Sequence, residues 1–201
     1  MEEARTVTIA GFLEKLSSAA PAPGGGSVAA LSGSLGAALG LMVCALAAKK
    51  GENAGLTSLR ERILPLRERF LALVEEDEEA FCQVMAAYQL PKGDPLRAER
   101  IQSALIRAAS VPLETAVLSR NLLALLVELA PLGTKSSVSD VGVGAILTRA
   151  ALESALLNVD ANLVSIRDES AKRDLAAQRD ALLAEGQTLA LEALRLARGR
   201  L

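Results

Sequence analysis

The sequence predicts an all-α protein, a single-domain bundle of long helices packed around one central Gly/Ala-rich helix. Three observations carry this. Hydrophobic residues make up 51% of the 201-residue chain but aromatics only 2%, so the core is aliphatic and small-sided, which suits closely packed helices. Apolar residues recur at steps of three and four, and no stretch shows the alternation of a half-buried strand. From Ser27 to Ala48 there is no charge, and most side chains are Ala, Gly or Ser with Leu and Val between them. The length suits one domain, residues 1–201, with a sizeable core.

The elements follow in order. Thr8 to Ser18 reads as a short amphipathic helix capped by Thr8, with Ile9, Leu13 and Leu16 on one face. Pro21-Ala22-Pro23 turns the chain, and Gly24, Gly25 and Gly26 open the central helix. Lys49-Lys50-Gly51 ends it, where cations meet the negative end and Gly stops it. Glycine costs about 1 kcal/mol against Ala inside a helix. Gly33, Gly36 and Gly40 therefore need compensation from close approach of another helix or a ligand, and Ser32, Gly36 and Gly40 share a face. The run can be a buried core helix, a membrane span containing a GxxxG match, or a central helix whose glycine-rich start faces a ligand. Its scarcity of large apolar residues and aromatic anchors counts against the span.

A long helix follows over about 57–88. Leu56, Leu59, Ile63, Leu66, Phe70 and Leu73 form a seam, and Pro65 within it predicts a kink or break. The next seam position is Asp77, before the pattern resumes at Ala80, Val84 and Ala87. A carboxylate there must be paired, hydrogen-bonded or protonated. It either caps or pairs with a neighbouring element, or it belongs to a site.

Leu90 to Pro95 is a loop rich in breakers. A helix over 96–109 turns Ile101, Leu105 and Ala108 inward. Pro112 restarts or kinks it, and 111–129 continues to Pro131-Leu132-Gly133. After a polar connection over 134–139, Ser139 caps a helix over about 140–166 with Asp140 in its first turn. One face of that helix reads Asp140, Gly144, Leu147, Ala151, Ser154, Asn158, Asn162. Such a face either hydrogen-bonds a partner helix or lines a polar groove. A last helix, about 168–196, carries Leu175, Leu182, Leu189 and Leu196 in a heptad line and reads as packing alone.

The chemistry is bounded as firmly. There is no histidine, which excludes His-based triads and His metal sites and leaves proton work to carboxylates, Lys, Tyr, Ser and Cys. Cys44 and Cys82 both fall in apolar helical patterns, the setting of buried free thiols. A net charge of −2, without a basic stripe or zinc-finger spacing, points away from nucleic acid. Glu2, Glu3, Glu14 and Lys15 precede the apolar run, unlike a signal peptide. A cytoplasmic protein with no membrane partner is expected.

Several blocks, in order, resemble the cyclodeaminase/cyclohydrolase family, which includes the cyclodeaminase domain of formiminotransferase-cyclodeaminase. They are Pro23-Gly-Gly-Gly-Ser-Val-Ala-Ala with its continuation to Val43, Asp77-Glu-Glu-Ala-Phe81, Leu90-Pro-Lys92, Val111-Pro-Leu113, Ser139-Asp140 with Val-Gly-Val-Gly, and Asn158-Val-x-x-Asn162-Leu163. The chain departs at Thr134, where the family usually has Asn. The resemblance implies a homodimeric all-α enzyme of one-carbon metabolism that binds a tetrahydrofolate derivative as substrate near the subunit interface. No tightly bound cofactor and no metal are expected. The activity it favours is cyclodeamination of 5-formiminotetrahydrofolate to 5,10-methenyltetrahydrofolate and ammonia. Alternatives are methenyltetrahydrofolate cyclohydrolase and a non-catalytic dimer that binds a folate or a protein. Asp77 and Asp140 fall on these blocks; one is expected as acid/base and the other as its partner or as a pterin anchor, with the two roles not yet assigned between them. Ser139, Asn158 and Asn162 match the donors and acceptors of a pterin. Lys92, Lys135, Lys49 and Lys50 are candidates for the anionic tail, though each also reads as a solvated charge. Gly24 to Gly26 with Ser27 either open backbone N–H groups to the ligand or relieve a tight junction.

Overall fold

The computed structural model describes residues 8–51 and 53–201, and among them all regular structure is helical. Glu2 and Glu3, used above, lie outside the described residues. The helices are α1 (Ile9–Leu16), α2 (Gly25–Ala48), α3 (Ala54–Gln89), α4 (Arg97–Leu129), α5 (Val138–Leu163) and α6 (Glu169–Arg198). α2 packs against α3, α4 and α5, while α6 closes the far side on α4 and α5. The Gly/Ala-rich helix is therefore central, as its composition requires. α2 and α4 are both long and apolar enough to cross a membrane by length and composition; here α2 packs against three neighbouring helices and α4 against four.

Glycine sets the register of α2 on α3. A Cβ added at Gly40 would lie 3.4 Å from Cδ1 of Ile63, at Gly33 2.4 Å from Cε1 of Phe70, and at Gly26 2.0 Å from Oδ1 of Asp77. Each step of seven along α2 is a step of seven back along α3, so the helices run antiparallel. Gly36 points elsewhere: its Cβ would meet Thr148 Oγ1 at 2.3 Å and the Gly144 carbonyl at 3.0 Å, both on α5. The expected single face of Ser32, Gly36 and Gly40 is thus divided, because a central helix has neighbours on several sides. Asp77 occupies the same seam as Ile63 and Phe70, which are fully buried.

Neither internal proline breaks its helix: α3 runs through Pro65 and α4 through Pro112. A proline removes one N–H and orphans the carbonyl four residues earlier. Behind Pro65 that residue is Glu61, which is exposed to water. Behind Pro112 it is Ala108, which is buried, and its carbonyl accepts a 3.1 Å hydrogen bond from Asn162 Nδ2 on α5. Asn162→Ala is therefore expected to destabilise the fold by about 1–3 kcal/mol, the cost of a buried unsatisfied carbonyl. A urea midpoint equal to that of the parent would contradict this account.

Other expectations are corrected. α5 starts at Val138 after Ser137, so Ser139 is an exposed first-turn residue and not the cap; Asp140 does lie in the first turn. Cys44 is buried, but Cys82 is exposed. In α6, Leu175 and Leu182 are buried and Leu189 and Leu196 pack partly buried on the same core, as expected, while Gly186, Ala190, Ala193 and Ala197 lie buried beside them, Gly186 because Leu152 comes within 2.3 Å of where its Cβ would be. In α1, Ile9 and Leu13 are exposed, and Phe12 makes the packing contact, against the cluster of Ala30, Leu73 and Val74.

Candidate functional site

Three helices converge at the start of α2. The chain enters through Pro21 to Pro23, and Gly24 stands at the N-cap with extended backbone and no side chain to cap the helix. The first N–H groups of α2 need partners from elsewhere. Asp77 of α3 sits at them: Ser27 Oγ donates to Asp77 Oδ2 at 2.9 Å, and the Ser27 N–H also favours the charged carboxylate. A carboxylate from another helix thus does what an N-cap side chain does in sequence. This is the structural role foreseen for Asp77, and it puts the carboxyl on the positive end of the central helix.

Only glycine admits it. The 2.0 Å between Asp77 Oδ1 and a Cβ at Gly26 leaves no room for alanine. Gly25 meets Asn158 of α5, whose Nδ2 and Oδ1 would lie 3.2 and 3.3 Å from an added Cβ. Gly24 has open space around it. Ser27 is fully buried.

Burial pushes the Asp77 carboxyl above the usual carboxylate range. The Ser27 hydroxyl and N–H pull it back in part, and the neighbouring Glu78 adds to the upward push. Glu78 is paired with Lys15 of α1 at 2.7 Å. On the other side Glu76 is held below its usual range by hydrogen bonding to Arg69, with Arg107 contributing. Arg69 also bonds Glu114 and so ties α3 to α4. Of these three consecutive carboxylates, Asp77 is the one that faces the α2 start. Asn158 donates to the Ser154 carbonyl at 2.8 Å, and Asn162 donates to Ala108 and to the Asn158 carbonyl. Sequence reading missed the link from Asn162 to Ala108. Its signal was Pro112, four residues past the carbonyl it frees.

One chain does not bring every predicted residue to this place. Asp140 and Asn158 are eighteen residues apart on α5, about 27 Å at 1.5 Å per residue. Ser139 and Asp140 lie at the opposite end of the bundle, where α2 finishes at Lys49 and Lys50 and where the loop carrying Lys135 lies. Gly133 of that loop packs against Val43 near the end of α2. Within one chain, therefore, Asp77 and Asp140 do not face each other. Lys92 is exposed on the loop beyond α3, at the Asp77 end. Thr134 bonds the hydroxyls of Ser136 and Ser137 at 3.0 and 2.8 Å, shaping the turn into α5. Among the described residues no three Cys, Asp or Glu side chains are grouped to hold a metal ion.

A family model described as formiminotransferase-cyclodeaminase matches residues 8–181. The chain belongs to that family. Its members include a methenyltetrahydrofolate cyclohydrolase of Methylorubrum extorquens, 38% identical over 190 residues that cover 90% of this chain and 91% of the relative. The formimidoyltransferase-cyclodeaminase of Gallus gallus is 36% identical over 90% of this chain, which spans only 35% of that longer protein. The crystal structure of formiminotetrahydrofolate cyclodeaminase from Thermotoga maritima matches with a TM-score of 0.88 at 27% identity, over 97% of this chain and 98% of that one. The family's all-α architecture and its folate one-carbon chemistry thus agree with the sequence reading.

Proposed function

We propose that this chain is a homodimeric enzyme acting at the one-carbon bridge of tetrahydrofolate, and that its reaction is hydrolysis of the 5,10-methenyl derivative. The observation that carries the reading is Asp77: a half-buried carboxyl, raised toward protonation, hydrogen-bonded to Ser27 at a glycine-only helix start beside Asn158. Water adds to the methenyl carbon as a base takes its proton. The carbinolamine then collapses as its hydroxyl gives up a proton, the N5–carbon bond breaks and N5 takes a proton, leaving 10-formyltetrahydrofolate and one net proton released. A carboxyl with a raised proton affinity suits both transfers, and as an anion it stabilises the cationic substrate.

The family resemblance favours cyclodeamination. The similarity to the Methylorubrum cyclohydrolase over the length of both chains moves hydrolysis to first place. Cyclodeamination stays as the second reading, favoured by the Thermotoga structure; there N10 attacks the formimino carbon and ammonia leaves. Absorbance at the methenyl band separates them. Faster decay of added methenyltetrahydrofolate supports the first. Growth of the band from 5-formiminotetrahydrofolate, with ammonia, supports the second. Silence in both assays, with folded protein, sinks both and favours the non-catalytic dimer.

The dimer is part of the proposal. An exposed line of Val143, Ile146, Ala150 and Leu157 on α5 runs beside exposed Leu35, Met42 and Leu46 on α2. A second copy placed on this face by a two-fold axis across the helices sets the Asp140 end of one chain at the Asp77 end of the other. Both carboxylates then serve one site. Asp77→Asn and Asp140→Asn are each expected to be inactive. Mixing them through dissociation and reassociation should restore about a quarter of the parent activity, since half the dimers then hold one intact site. Lack of recovery in verified mixed dimers would refute the shared site. In this reading the protein is cytoplasmic and purifies without detergent.

A further inference from the structure

α2 begins at Gly25, but the antiparallel α3 continues from Asp77 to Gln89. That overhang is about 18 Å at 1.5 Å per residue. Along it, the face of α3 that meets α2 lower down has no α2 to meet. Asp77, Phe81, Val84 and Tyr88 follow one another on that face at steps of four, three and four. Val84 is partly buried against the core, but Phe81 and Tyr88 are 40% and 45% exposed. The chain has three Phe and one Tyr, so half of its aromatic rings stand exposed in line with one carboxyl. The other two behave ordinarily: Phe70 is fully buried and Phe12 packs against the core. Lys92 follows on the loop at the outer end of the line. A separate open cleft of about 430 Å³, lined by Gln83, Leu90, Arg100 and Ser103, lies further round the helix and shares none of these residues.

We infer that Phe81 and Tyr88 form the wall along which the aminobenzoyl-glutamate arm of the substrate lies, the ring on Phe81 beside the reacting bridge and the tail passing Tyr88. The inference rests on the folate reading and deepens it. Along the wall the chemistry runs from a proton-transferring carboxyl, through two flat apolar surfaces, to a cation. A folate runs in the same order, from the reacting bridge, through the aminobenzoyl ring, to the glutamate carboxylates. Aromatic faces stack on flat rings without needing hydrogen-bond partners. The tyrosine hydroxyl is dispensable for that purpose; the ring is not.

The test uses the full chain. Phe81→Leu and Tyr88→Leu are each expected to raise KM about tenfold with kcat little changed, and Tyr88→Phe to leave KM within about twofold. p-Aminobenzoylglutamate, as a competitive inhibitor, should lose about tenfold in affinity in the two leucine variants only. Melting temperature and light scattering are recorded for each, to establish a folded protein of parental mass. If the parent turns over a folate and both folded leucine variants keep its KM and inhibitor affinity, the wall is overturned and the folate reading stands. If the leucine variants change the oligomeric mass, the face is an interface between copies and the wall is likewise overturned. If the parent acts on no folate and binds no p-aminobenzoylglutamate, the reading beneath the wall has failed.

Discussion

Asp77→Asn is expected to lower kcat by about 10²–10⁴-fold, the range for losing a positioned acid or base, while the fold survives. The separation of the two effects is the point. Asp77 does two things: it holds the start of α2 through the Ser27 hydroxyl, and it carries a titratable proton at the helix start. Asparagine keeps an acceptor for the cap but cannot titrate. Asp77→Ala loses both and should also cost about 1 kcal/mol of stability, the usual worth of a cap. An Asn variant with parental turnover would remove Asp77 from the reaction and leave it a cap alone.

The same substitution has a pH signature. Burial raises the carboxyl above its unfolded value, so within the window between the two values the folded chain holds a proton that the unfolded chain has released. The stability this contributes is fully present below the unfolded pKa and is lost as pH rises through the folded pKa. The parent should lose stability relative to Asp77→Asn across that window, then keep a constant difference above it. Urea midpoints measured from acid to neutral pH test the sign. A difference that moves the other way would mean that the hydrogen bonds from Ser27 outweigh burial.

Gly33→Ala and Gly40→Ala form the second pair, and they are expected to diverge. At Gly33 the new methyl would lie 2.4–2.7 Å from three ring atoms of Phe70, a fully buried side chain. The ring cannot bend away, so α2 and α3 must separate. Overpacking of this kind costs about 1–3 kcal/mol and occasionally more, or about 2–4 °C of Tm per kcal/mol in a chain of this size. At Gly40 the nearest atoms are Leu126 Cδ2 at 3.3 Å and Ile63 Cδ1 at 3.4 Å. Both are ends of flexible side chains, and alanine gains about 1 kcal/mol of helix propensity. Gly40→Ala should therefore match or exceed the parent in stability. Equal losses at the two positions would contradict the register.

Much of this fold is legible in the chain. Seam residues from Leu56 to Leu73 announce a helix that buries one side, and the pattern survives Pro65 because the loss of one hydrogen bond on a solvated side is small against that burial. Asp77 is legible as the seam position that is not apolar. Ser137 displaces Ser139 at the α5 start because helix ends are decided by the hydroxyl network with Thr134, which propensity does not encode. Cys82 illustrates a different limit. It lies on an apolar-looking stretch, but at steps of seven it follows Glu61, Glu68 and Glu75, on the side of α3 turned away from α2.

The sequence by itself determined the helical class, the central place of the glycine-rich helix, the seam that ends in Asp77, and the family to which the chain belongs. The first three are properties of period and composition, which every segment carries locally; the family rests on ordered motif blocks and on the relatives that share them. Tertiary structure decided which helix each glycine faces, that Asp77 caps α2, that Asn162 repairs the carbonyl freed by Pro112, and that Asp140 lies about 27 Å along α5 from Asn158. Those depend on the register between helices far apart in the chain. That register is fixed by where a backbone can approach a side chain within a few ångströms, which no local pattern records.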